Sequence, residues 1–346
     1  LLDEGSTVPF IARYRKEVTG SLDDSQLRTL EERLRYLREL EDRRGTILNS
    51  IEEQGKLTAG LRKSIEAADT KARLEDLYLP YRKKRRTKAQ IAREAGLEPL
   101  ADRLLADPTQ DPAALAAQFV DSAKEVADGD AALEGARQIL MERFAEDAEL
   151  LAELRPFVWD HAVVRSQVAK GKESDPDAAR FKDYFDYTEA LAKIPSHRAL
   201  ALFRGRKASL LQVTLDVDAD GDGVQSDICI NKVAKQFGIR VEGRPADAFL
   251  FDAVRSAWRV KIFLHLDVEL MSRLREAADE EAIRVFGTNL RELLLAAPAG
   301  GRPTMGLDPG LRTGVKVAVV DSAKGAKGPD QSAGKAGHSS PTTVPS

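Results

Sequence analysis

The sequence predicts a mainly α-helical protein, and three observations carry that reading. Apolar residues recur at three- and four-residue spacing along most of the chain, first at Leu27, Leu30, Leu34, Leu37 and Leu40 and later at Leu133, Ala136, Ile139, Leu140 and Phe144. Strict alternation is confined to one short β element near 208–218, where Leu211, Val213, Leu215 and Val217 alternate with Gln212, Thr214, Asp216 and Asp218. A β-hairpin is expected at 304–321, because Pro309 and the neighbouring glycines turn the chain between an apolar strand ending at Asp308 and a returning strand from Val315 to Val320.

The elements follow in order. Asp23 and Gln26 form a capping-box-like start to a long helix, and Gln54-Gly55 is its stop. Thr58 caps a second helix with Leu61, Ile65 and Ala68 on one face, and Leu74, Leu77 and Leu79 lead into the Pro80 break. Ala89, Ile91, Ala92 and Ala95 predict a short helix ended by Gly96. Another helix runs from Pro99 to about Ala106, before Pro108 and Pro112. Helical spacing covers Ala131 to Val168, and Gly171 to Pro176 is a polar break. After the β element it resumes near Ile228 and persists to Leu295, interrupted at Gly238 and Gly243-Arg244-Pro245. Residues 299–303 are a linker, and from Ser322 the Gly/Ser/Lys/Ala/Pro/Thr composition predicts a disordered tail.

At 346 residues the chain has room for two or three domains. A hydrophobic content of 42% with 32% charged residues fits a soluble globular protein, and no apolar run is long enough for a transmembrane span. One cysteine, Cys229, forbids an internal disulfide framework and favours a reducing, cytoplasmic compartment. Leu1 in place of Met suggests that the natural N-terminus lies upstream. The net charge of -3 hides a local excess: Arg82, Lys83, Lys84, Arg85, Arg86, Lys88 and Arg93 fall in one stretch without an acidic residue. Lysine and arginine in such a run suit phosphate contacts, which neutralise backbone charge without reading sequence; the alternative is a solvated loop and helix start.

Other motifs are weaker. Arg13, Tyr14, Arg15 and Lys16 mix cations with a ring that could stack on nucleic acid, but the favoured expectation is that Phe10, Ile11 and Tyr14 pack inward while the charges face water. Asp216, Asp218, Asp220, Asp222 and Asp227 fall on positions of a calcium-loop template with Gly221 at its turn. Against calcium stand Asp at the last position, Gly223 in place of an apolar anchor and a strand leading into the loop, so an acidic surface turn is preferred. His161, His197, His265 and His338 have no ligand-like spacing, and HExxH, paired CxxC and Walker A motifs are missing. No cofactor and no catalytic activity are expected.

Four ordered blocks carry a resemblance. They are Val8-Pro9-Phe10-Ile11-Ala12-Arg13-Tyr14-Arg15-Lys16-Glu17-Val18-Thr19-Gly20, Leu77-Tyr78-Leu79-Pro80-Tyr81 continuing through the basic run to Ala89, Ile194-Pro195-Ser196-His197-Arg198, and the hairpin Gly306 to Asp321. Together they resemble the Tex family of bacterial transcription accessory proteins.

The resemblance implies a Tex-like N-terminal helical domain (1–195), a Tex-like central helical region with helix-turn-helix character (196–300), the truncated start of a YqgF/RNase-H-like domain (301–321) and a non-family tail (322–346). Asp308, Gly310 and Gly314 are then the remnant of the RNase-H-like motif. In complete domains of that kind the first-strand aspartate helps hold metal, but only Asp321 and Asp330 follow it here, too few carboxylates for a two-metal site. The helix-hairpin-helix and S1 domains implied by the family do not follow, which suggests a truncated or frameshifted fragment with weakened RNA binding. The function implied is non-sequence-specific binding of RNA or DNA beside the transcription machinery. A helical scaffold docking that machinery is the alternative, and a metal-dependent nuclease is less favoured.

Overall fold

The computed structural model describes residues 1–82, 85–219, 221–297, 300, 303–309 and 314–320. The chain divides into two compact units, 1–280 and 281–346.

The first unit begins with two short helices, α1 (Val8–Tyr14) and α2 (Lys16–Thr19), followed by α3 (Asp24–Glu53). The capping box is present: the Gln26 amide donates to Asp23 Oδ1 at 2.8 Å, and the Asp23 amide donates to the Gln26 side chain at 3.0 Å. Helices α4 (Ala59–Glu66) and α5 (Lys71–Tyr78) fold back on α3, each started by a threonine whose hydroxyl accepts from the first turn. Leu40, Ile47, Ile51, Ile65, Leu74 and Tyr78 form the core between them.

Past the basic run, α6 (Lys88–Glu94), α7 (Glu98–Ala106) and α8 (Pro112–Ala116) surround α9 (Gly129–Ala145). Helix α9 buries residues on several faces, from Ala132 to Phe144, and is the axis of the main core. At Gly135 an added Cβ would stand 2.3 Å from Leu97 Cδ1, so α9 meets the turn after α6 closely enough that a side chain there would have to displace Leu97. Helix α10 (Ala148–His161) follows.

Here the sequence expectation fails, because helical spacing predicted helix to Val168. The structure ends α10 at His161 and extends the next residues as β1 (Val163–Val168). Val164 and Ser166 point inward two residues apart, a strand period that the preceding helical pattern masks. Strand β1 lies between β2 (Asp186–Ala190) and β3 (Leu211–Asp216), antiparallel to both. Strand β3 has the alternating burial that its sequence announces. The sheet joins segments on both sides of residue 195, since β1 and β2 precede it and β3 follows it.

Helix α11 (Ser196–Lys207) connects β2 to β3 and packs on β3 through Gly205, where an added Cβ would meet Leu211 Cδ1 at 2.5 Å and Cγ at 2.7 Å. Helices α12 (Val224–Gln236) and α13 (Asp247–Ala257) pack together, and a π-helical turn, Trp258–Ile262, continues α13 into α14 (Phe263–Leu294). The buried residues of α14 end at Ala278. Arg155 of α10 joins the sub-cores, since its guanidinium donates to Asp76 of α5 at 2.9 Å and to Glu269 of α14 at 3.0 Å.

Within the second unit, the described residues 283–295 expose Ile283, Phe286, Leu290, Leu293, Leu294 and Leu295. Strands β4 (Thr304–Pro309) and β5 (Val315–Val320) form the expected antiparallel hairpin.

Candidate nucleic-acid interface

The basic run follows a 3-10 turn, Leu79–Tyr81, whose Pro80 cannot continue the preceding helix. Arg82, Arg85 and Arg86 are exposed, while Lys83 and Lys84 lie outside the described residues. Thr87 ends the run as the N-cap of α6, accepting from the Gln90 amide at 3.0 Å and donating to Glu142 Oε1 at 3.1 Å. Lys88 opens the helix on its exposed side.

The seven sequence candidates therefore divide. Arg93 turns inward: its Nη1 donates to Oε2 of the buried Glu142 at 2.5 Å, and its Nε to Glu98 at 3.4 Å. Burial opposes the Arg93 charge, but the hydrogen bond and charge of Glu142 outweigh it and raise its pKa. Arg93 thus anchors α6 on α9. Arg86 is held by Glu94 at 2.7 Å, and that hydrogen bond pulls the Glu94 carboxyl below its ordinary value. Arg82, Arg85 and Lys88 have no ion-pair partner among the described residues. Within the described part of the run they are the cations free to meet a ligand.

Two grooves extend this surface. One of about 620 Å³ is lined by Arg82, Arg85, Arg143 and Lys56 together with the carboxylates of Glu98, Glu142, Glu146 and Asp147, and Arg143 is paired with Asp102 at 2.6 Å. The second, about 410 Å³, brings Lys88 together with Lys261 of the π-helical turn over an apolar floor of Met141 and Val260. Lys261 lies 173 positions from Lys88 and carries no sequence signal of its own beyond Arg259 two residues before it. Only the fold joins it to the basic run.

At the N-terminus, Ile11 is buried as expected, but Phe10 and Tyr14 are not. Helix α1 can turn only one stripe inward, and Val8 and Ile11, three residues apart, occupy it.

The described carboxylates of the calcium-like loop serve the local backbone. Asp216 accepts from the Asp218 amide at 2.9 Å and pairs with Arg165 at 3.1 Å. Asp218 accepts from the Ser226 amide at 2.9 Å, and Asp222 from the Val224 amide at 3.0 Å. Asp227 lies in the first turn of α12, and Asp220 is outside the described residues. Among the described residues no group of three His, Cys, Asp or Glu side chains could hold a metal. In the hairpin, Asp308 is exposed opposite Lys316, 3.8 Å away, and Gly314 enters β5 with a left-handed φ of 80°. Gly310 is outside the described residues. Cys229 is fully buried, and burial pushes its thiol up to about 12. Among the described residues no helix is long and apolar enough to cross a membrane.

Comparison with known proteins gives matches along the chain. A family model described as Tex central region-like matches residues 107–286, and one described as Tex-like protein N-terminal domain matches residues 1–52. The protein YhgF of Escherichia coli (strain K12) is 58% identical over 323 residues, 93% of this chain and 42% of that protein. The protein tex of Bordetella pertussis is 54% identical over 326 residues, 93% of this chain and 41% of that protein. A human protein named S1 RNA-binding domain-containing protein 1 is 30% identical over 326 residues, 92% of this chain and 32% of that protein. The chain spans about two fifths of the length of its bacterial relatives.

Proposed function

The chain belongs to the Tex family, and from that premise we propose that it binds the sugar-phosphate backbone of nucleic acid, without reading sequence, in a transcription accessory role. The observation that carries this reading is the sorting of the basic run: Arg86 and Arg93 are neutralised by carboxylates, whereas Arg82, Arg85 and Lys88 stay exposed beside two grooves. Exposed cations that no carboxylate neutralises are available to the phosphates of an anionic polymer. The name of the human relative, which refers to RNA binding, accords with this ligand class.

The proposed role is binding rather than catalysis, in the cytoplasm, with no cofactor. Asp308 stands opposite Lys316 at 3.8 Å, and among the described residues no group of three His, Cys, Asp or Glu side chains gathers around it. Incubating labelled DNA or RNA with magnesium or manganese is expected to yield no cleavage, and a product ladder would overturn the non-catalytic reading. The test of binding is a salt series on duplex DNA. Each phosphate contact contributes about 0.9 to the slope of log affinity against log salt, so Arg82→Glu with Arg85→Glu should lower that slope by about 1.8. An unchanged slope and affinity would remove the proposal.

A protein-docking role is a second reading, favoured by the exposed Ile283, Phe286, Leu290 and Leu293, whose three- and four-residue spacing forms an apolar stripe. Binding to polymerase that persists as salt rises would support it, because apolar contact is not screened.

A further inference from the structure

Val8 and Ile11 of α1 are buried against Leu27 of α3. That contact rotates Phe10 and Tyr14 to the outside, where they stay 45% and 61% exposed. The two rings lie 5.3 Å apart at 46°, and the Arg13 guanidinium sits 6.0 Å from the centre of the Tyr14 ring. Phe10, Tyr14, Arg13 and Lys16 line one groove of about 620 Å³. Its one carboxylate, Asp24, is already held by Arg28 at 2.8 Å, and Arg15 is occupied by Glu17 at 2.9 Å. Arg13 and Lys16 have no ion-pair partner among the described residues.

We infer that this groove is a single-stranded nucleic-acid site, in which Phe10 and Tyr14 stack on unpaired bases and Arg13 and Lys16 neutralise the flanking phosphates. Every base offers a π-face, so two exposed rings beside free cations satisfy both parts of a single strand at once. A duplex hides its base faces within the stack and can use the cations alone. An apolar peptide could use the rings but would leave the Lys16 ammonium and the Arg13 guanidinium without a counterpart. The inference rests on the proposed function only for the ligand class; the residues are separate from the basic run.

Anisotropy of labelled oligo(dT) and oligo(U), each of about 15 nucleotides, beside a duplex of equal length at about 50 mM salt tests it. Phe10→Leu and Tyr14→Leu are each expected to weaken single-strand binding about tenfold while duplex affinity moves less than about twofold. Similar losses on both oligomers indicate a site shared by DNA and RNA, and a larger loss on one names its strand. Both substitutions keep an apolar side chain at an exposed position, and an unchanged thermal melt verifies the fold. Arg13→Gln with Lys16→Gln should flatten the salt dependence on the same oligomers. Unchanged single-strand affinity in the leucine variants, or equal loss on duplex, overturns the site. If Arg82→Glu with Arg85→Glu abolishes binding while the leucine variants bind as the parent does, the groove fails and the basic run stands. If the parent binds neither form, both fall.

Discussion

Arg155→Leu should be the most damaging single substitution at the junction of α5, α10 and α14. Arg155 pairs with both Asp76 and Glu269, the latter also 3.7 Å from His265, and its side chain is 14% exposed against 3% for Asp76 and 28% for Glu269. Removing it strands a buried carboxylate, and breaking a buried pair in this way costs about 3–5 kcal/mol. At about 2–4 °C per kcal/mol, the melting temperature near neutral pH should fall by roughly 6–20 °C.

The pH dependence identifies the cause. Burial already holds the Asp76 carboxyl above its ordinary value of 3.8, with Arg155 pulling the other way. A carboxyl raised on folding binds its proton more tightly in the folded chain. It therefore subtracts stability above its folded pKa, and that loss fades as pH falls toward the unfolded value. Without Arg155 the elevation grows, so the variant's deficit should be largest near pH 7 and shrink toward about pH 4.5. Asp76→Asn in the same background should recover part of the loss at pH 7. Urea titrations of parent, single and double variants at the two pH values supply the comparison. A deficit below about 1 kcal/mol, or one equal at both pH values, would refute the argument that a stranded buried charge dominates.

Gly205→Ala should cost about 1–3 kcal/mol, because the new methyl overlaps Leu211 Cγ as well as the movable Cδ1; melting equal to the parent's would show that β3 yields freely. Thr87→Ala removes both the α6 cap and a hydrogen bond to Glu142, and should destabilise by about 1–2 kcal/mol in denaturant titration, whereas Thr87→Ser should retain most of both. Cys229, with its thiol raised to about 12, should resist a disulfide reagent near pH 8 until denaturant is added; immediate labelling of the native protein would contradict its burial.

Local chemistry was legible in the sequence where it acts within a few residues. Asp23 and Gln26 marked the start of α3, Gln54-Gly55 its end, and alternation from Leu211 to Val217 gave β3. Strand β1 was lost because its valines continue a helical pattern, and β2, reading Asp-Tyr-Thr-Glu-Ala, because an edge strand buries too little to need an apolar period. Pairing between β1 and β2 spans a 17-residue connection, 169–185, that no local signal specifies. The site shows the same division. The basic run was visible as composition, but that Arg93 would be spent on Glu142, 49 positions away, and Lys88 joined by Lys261 depends on how α6 seats against α9 and the π-helical turn. Phe10 and Tyr14 were expected inside because rings favour burial, yet a seven-residue helix with Val8 and Ile11 already inward has no second buried face.

Amide hydrogen exchange should rank the two sheets by their neighbours. Strand β1 has a partner on each side and Val164 and Ser166 sealed beneath it, so its amides can exchange only when much of the first unit opens. Among the described residues the β4–β5 ribbon has two strands, with Met305, Leu307, Val317 and Val319 all exposed. A ribbon of two strands is marginal in water. Its amides are therefore expected to exchange well before those of β1.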